Sequence, residues 1–173
     1  MTNTTLNDFI HLARSRRAIR RYTDRPVPPD LLDLLLETAT WSPSAHNRQP
    51  WRFAVLETPA SKETLARAMG QRLRADRCAD GDPPDAIERD VARSFARITG
   101  AAALVVVCLS LADMDHYPDA HRSQAERTMA VQSVAMAAQT LWLAAHAAGL
   151  GACWLCAPLL VEMLVRLSMR TTD

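Results

Sequence analysis

The sequence predicts an α+β fold, with a mixed sheet flanked by helices and one long central helix. Three observations carry this. The run AAALVVVCLS, Ala101 to Ser110, is continuously apolar, and its three consecutive valines favour a buried central strand. The stretch 122–148 is apolar on most faces, a helix of roughly 40 Å at 1.5 Å per residue. Helical stretches, two of them opening at proline, are interspersed with short strand-like runs.

Taken in order, Thr5 and Asp8 resemble a capping box that opens a short helix through about Ala13. Residues 14–25 form a basic extended segment. Pro28-Pro29-Asp30 starts a helix with an apolar stripe of Leu31, Leu32, Leu35 and Ala39, and Pro43 ends it. Arg52 to Glu57 reads as a strand and Pro59 to Arg77 as an amphipathic helix. After the turn-rich loop 79–84, Asp85 is expected to cap a helix to about Ile98. The apolar strand 101–110, a polar loop 112–121 and the long helix 122–148 follow, with Gly149 as its stop. Ala152 to Leu155 reads as a short strand and Leu159 to Met169 as a last helix.

The chain has 173 residues, enough for one domain, 1–173, with a sizeable core. A net charge of +1 leaves no overall field for nucleic acid or an anionic membrane. The polar start, Met1 to Asp8, shows no secretory signal, and Met129 to Leu150 carries Gln132, Gln139 and His146, which suits a buried helix rather than a membrane span. Four unevenly spaced cysteines make no disulfide framework, so a reducing cytoplasm is expected. Cys153 and Cys156 read as buried structural thiols rather than a zinc or redox pair. The five histidines are scattered, so no metal site is expected.

Two segments carry chemistry. Arg14, Arg16, Arg17, Arg20 and Arg21 put five guanidinium groups in eight residues. Such a cluster is a solvated basic face or a site for a phosphate monoester, which needs planar bidentate donors. About one helix downstream lies Trp41-Ser-Pro-Ser-Ala-His-Asn-Arg-Gln-Pro-Trp51. Pro43 and Pro50 stiffen a turn holding Ser44, Asn47 and Gln49, whose polar groups suit the edge of a ring.

The pair of segments resembles the signature of the nitroreductase family of FMN-dependent oxidoreductases, with Ala18 where the family has Ser. The resemblance covers about residues 13–166. It implies a dimer with FMN at the subunit interface. Arg16, Arg17, Ala18, Ile19 and Arg20 would bind the phosphate. Pro43, Ser44, Ala45, Asn47 and Gln49 would lie by the ring, supplied by the partner subunit. Gly149-Leu150-Gly151-Ala152-Cys153-Trp154 resembles a stretch whose backbone passes close to the flavin, which assigns Gly151, Leu155 and Cys156 to the cofactor. At Cys156 the family often has Gly. No residue is expected to act as a nucleophile, because the flavin carries the chemistry. The implied electron donor is NAD(P)H or a reduced deazaflavin, and the acceptor a small organic molecule. A non-catalytic flavin- or deazaflavin-binding protein is the alternative.

A narrower resemblance adds Asp115-His116-Tyr117-Pro118-Asp119-Ala120, Glu126-Arg127-Thr128-Met129, Leu73-Arg74-Ala75-Asp76 and Gly81-Asp82. These segments are similar to the C-terminal FMN domain of coenzyme F-420 γ-glutamyl ligases, which reduces a dehydro precursor of that deazaflavin. Asp76 would then contact the deazaflavin; read alone it is equally a solvated carboxylate at a helix end. The family usually continues with a strand and a basic tail, which residues 168–173 do not resemble.

Overall fold

Prolines set where most of the helices begin. The structure, a computed structural model, describes residues 4–156. In it α1 spans Thr4–Ser15, α2 Pro29–Thr40, β1 Trp51–Leu56, α3 Pro59–Ala79, α4 Pro84–Thr99, β2 Leu104–Leu109 and α5 Ala120–Ala147. A 3-10 turn, Ala45–Asn47, lies between α2 and β1. Pro29, Pro59 and Pro84 each open a helix, where the missing N–H and fixed φ carry no penalty. The expected last helix, 159–169, lies outside the described residues.

The described residues divide into two units. The first comprises 4–19, 27–54 and 105–153, the second 20–26, 55–104 and 154–156. In the first, α2 packs on α5. Leu32, Leu35 and Ala39 form the buried stripe of α2, and Ala130, Ser133, Ala137 and Ala145 that of α5. Small residues on α5 let the two helices approach closely. In the second unit α3 packs on α4 through Leu65, Ala66 and Met69 on one side and Ile87, Val91 and Ile98 on the other. Arg74 grips Glu88 with two bonds, Nε to Oε1 at 2.6 Å and Nη2 to Oε2 at 2.8 Å. Arg77 bonds both Asp82 and Asp90.

β1 and β2 are hydrogen-bonded neighbours in a two-stranded sheet. Ser110 N–H donates to Pro50 C=O at 2.8 Å, which sets the start of β1 beside the end of β2, so the strands run antiparallel. The sheet of the described residues is therefore smaller than the sequence predicts. β2 is also three residues shorter at its start, because Lys62 Nζ takes the Ala101 and Ala102 carbonyls at 2.7 and 3.4 Å. Every residue of β2 is half-buried rather than buried.

Other boundaries differ for local reasons. α1 begins at Thr4, so Thr5 lies within its first turn and not at a cap. Pro83 is the N-cap of α4, and Asp85 sits inside the first turn, where its charge still suits the helix dipole. α5 starts two residues early because the Asp119 carboxylate accepts the Arg122 N–H at 2.9 Å. Its end is a Schellman closure: Gly149 at φ 77 donates to His146 C=O, and Leu150 donates to Ala145 C=O. Ala152 to Leu155 is not a strand; Ala152 C=O instead accepts Ile19 N–H at 2.9 Å. No helix of the described residues is long and apolar enough to cross a membrane.

Candidate functional site

In the first unit the arginine segment is tied to the C-terminal end of α5. Ser15 Oγ and His146 Nε2 share a hydrogen bond at 2.9 Å. The Arg16 guanidinium stacks on the Trp142 ring, 3.9 Å from its centroid. Trp142 Nε1 in turn donates to Ala152 C=O at 3.3 Å, the same carbonyl that accepts Ile19 N–H. Gly151 packs directly against Ile19: a Cβ there would meet Ile19 Cγ2 at 2.9 Å. Three expected residues, Arg16, Ile19 and Gly151, thus converge. Arg16 Nη1 is buried with no hydrogen-bond partner among the described residues. A buried charged donor left without an acceptor is costly, so this position is chemically suited to an anion.

Arg17 and Ala18 are exposed. Arg17 Nη1 is turned back onto the carbonyls of Arg14 and Arg16, at 2.7 and 2.9 Å.

The second segment is built on the middle of α5. Ser42 Oγ donates to Thr140 Oγ1 at 2.7 Å, and Ala45 N–H donates to Ser133 Oγ at 3.2 Å. Ser133 is buried, and its own hydroxyl donates to Met129 C=O at 2.8 Å. Gln49 N–H donates to Ser44 Oγ at 3.0 Å, closing the turn. His46, Asn47 and Gln49 all have positive φ, near 50°. Asn tolerates this region, but His and Gln do not favour it, and such conformations persist only where surrounding bonds enforce them. The result presents Asn47 and Gln49 at the surface, beside exposed Pro43 and half-buried Ser44 and Ala45. Trp51 is buried, whereas Trp41 is exposed.

The remaining expected residues belong to the second unit. Arg20 and Cys156 are exposed and Leu155 is half-buried. The exposure of Cys156 corrects the expectation of a buried thiol, and Cys153 is half-buried rather than buried. Asp76 lies in the last turns of α3, where Arg72 Nε donates to it at 2.8 Å. In the first unit, the Tyr117–Asp119 segment has local duties: Asp119 caps α5, and the Arg122 guanidinium lies over the Tyr117 ring at 5.1 Å.

Sequence reasoning missed Ser15, Ser133, Trp142 and His146. Ser133, Trp142 and His146 sit on a helix that is apolar nearly all round, so no periodicity marks them.

The profile of the nitroreductase family matches residues 13–169. The chain belongs to the nitroreductase family. Over 147 residues it is 30% identical to a Methanothermobacter thermautotrophicus protein named as an NADH dehydrogenase/NAD(P)H nitroreductase, covering 85% of this chain and 60% of that one. A Desulfovibrio desulfuricans protein named as a nitroreductase, solved in complex with FMN, is 28% identical with a TM-score of 0.60, covering 84% of this chain and 66% of that one. A BluB-like flavoprotein from Clostridium difficile superposes with a TM-score of 0.67 at 21% identity, a likeness of fold, covering 90% of this chain and 76% of that one. The chain thus spans 60% and 66% of the length of the first two of these proteins, less than two thirds of each.

Proposed function

We propose that this chain is an FMN-dependent oxidoreductase working in ping-pong fashion as a homodimer, with FMN held where the two copies meet. The single observation that carries this is Arg16. Its guanidinium is stacked on Trp142, held beside the Ile19–Gly151 contact, and has a buried Nη1 without a partner among the described residues. That is what a phosphate monoester requires: a fixed cation with a donor to spare, next to backbone that can come close. The FMN-bound Desulfovibrio relative supports the same cofactor.

When bound, FMN would supply the redox chemistry between a hydride donor, NAD(P)H or a reduced deazaflavin, and a small organic acceptor. The chain's own residues bind and orient. Arg16 and Arg20 neutralise the phosphate, with Arg17, Ala18 and Ile19 supplying the backbone between them. Pro43, Ser44, Ala45, Asn47 and Gln49, braced by Ser133 and Thr140, order the ring edge from the partner copy. Gly151, Leu155 and Cys156 line the approach to it. Four cysteines at uneven spacing suit a reducing cytoplasm.

The finer reading makes the acceptor a deazaflavin, a dehydro precursor of coenzyme F-420, as in the FMN domain of the F-420 γ-glutamyl ligases. Asp76 would accept a hydrogen bond from its hydroxyl groups. Anaerobic mixing with NADH, NADPH or reduced deazaflavin tests the function: bound flavin should bleach with one of them and recover with the acceptor. Bound flavin that no donor bleaches would leave only a binding protein. Asp76→Asn should weaken deazaflavin binding in calorimetry and leave FMN content unchanged; equal deazaflavin affinity removes the finer reading alone.

A further inference from the structure

Three residues far apart in sequence, His46, Asp115 and Glu126, each bring one donor atom within 4.8 Å of the other two. His46 lies in the 3-10 turn, Asp115 in the loop after β2 and Glu126 in the second turn of α5. Glu126 is only 3% exposed. Its Oε1 accepts the Asp115 backbone N–H at 3.3 Å, while its Oε2 is buried with no hydrogen-bond partner among the described residues. A carboxylate oxygen so deeply buried is costly without a partner, and a bound cation is one that can satisfy it. Within the cluster the Arg48 guanidinium is committed to the other carboxylate, with its Nη2 on Asp115 Oδ1 at 2.5 Å.

We propose that His46, Asp115 and Glu126 bind a divalent transition-metal ion, with Zn2+ the ion the donor set fits. One imidazole with two carboxylates is a set that first-row ions take, whereas Mg2+ and Ca2+ prefer oxygen alone. Each carboxylate is fixed through one oxygen, by the Asp115 N–H or by Arg48, and keeps the other for an ion. Metal ligands are oriented by outer bonds of this kind. At metal–ligand lengths of about 2.0–2.2 Å, tetrahedral donors stand roughly 3.3–3.6 Å apart. The exposed His46 ring can close that difference by side-chain rotation. A cleft of about 250 Å³, lined in part by Met114, Asp115, Tyr117 and Glu126, gives access. The ion would clamp the turn carrying Ser44, Asn47 and Gln49 to the start of α5 and leave one coordination position open.

Calorimetric titration with Zn2+ of the whole protein, first dialysed against a chelator and then against metal-free buffer, tests the proposal. One Zn2+ should bind per chain, and His46→Ala and Glu126→Gln should each weaken it at least about tenfold. The Cys153→Ser/Cys156→Ser variant should bind as the wild type does. Because Glu126→Gln alters a buried group, the exposed His46→Ala carries the decision if that variant misfolds. Zn2+ should also raise the thermal midpoint of the wild type and not that of His46→Ala. No uptake by the wild type, uptake unchanged in His46→Ala, or uptake abolished by the double serine variant would overturn the site.

Discussion

At Arg16 the guanidinium is already gripped on one face, by the Trp142 ring at 3.9 Å, while Nη1 stays without an acceptor. Removing such a charged donor from a phosphate costs about 1.5–3 kcal/mol, or roughly 10–150-fold in affinity. Arg16→Ala and Arg20→Ala should each lose affinity in that range when apo-protein is titrated with FMN; affinity equal to wild type would remove the assignment. Gly151 matters for a different reason. An added methyl would press on Ile19 Cγ2 at 2.9 Å and on its Cβ at 3.1 Å, atoms close to the main chain that cannot swing aside. Gly151→Ala should therefore lower the thermal midpoint, and Ile19→Ala in the same chain should recover most of the loss. Additive losses would show that the two do not touch. Arg16, Ile19 and Gly151 were legible because their motifs are contiguous in sequence. Trp142 and Ser133 were not, since only the packing of α5 brings them to those motifs.

Among the elements, α5 depends on its ends. Asp119 caps it, and the Arg122 backbone N–H, followed by the Arg122 guanidinium, holds the Asp119 carboxyl below the usual carboxylate range. A depressed folded value means the stabilisation is complete above the unfolded value of about 3.9 and is lost as pH falls through the folded one. Asp119→Ala should then lower the thermal midpoint by a few degrees near neutral pH, and the gap to wild type should close below about pH 4. Asp119→Asn keeps a capping oxygen and should recover most of the difference near neutral pH. A gap that stays constant down to pH 3 would contradict the assignment. Helix starts were legible wherever a proline stood at the first turn. The strands were harder to place. The run 101–110 reads as one strand, yet β2 begins only at Leu104, because Lys62 claims the Ala101 and Ala102 carbonyls before it. At 152 the carbonyl goes to Ile19 and Trp142 instead of a ladder. Bonds of that range leave no periodic trace in a sequence.

At the scale of the whole molecule, apolar surface on the first unit stays uncovered. Val131 and Met136 on α5 are 49% and 40% exposed, Trp41 is 81% exposed, and β2 is half-covered along its length. A long helix with apolar residues around most of its circumference is suited to burial by a second copy, and C2 pairing is the commonest closed arrangement. Under the proposed function, that pairing would set the turn 43–49 of one copy beside the arginine segment of the other. The most direct test of that shared site is a sedimentation velocity run recorded at the absorbance of flavin. The flavin signal should move with a dimer at micromolar concentration, and FMN should be the cofactor released from it. Flavin moving with a monomer, or a dimer that carries none after supplementation with FMN, would contradict a site built from two copies.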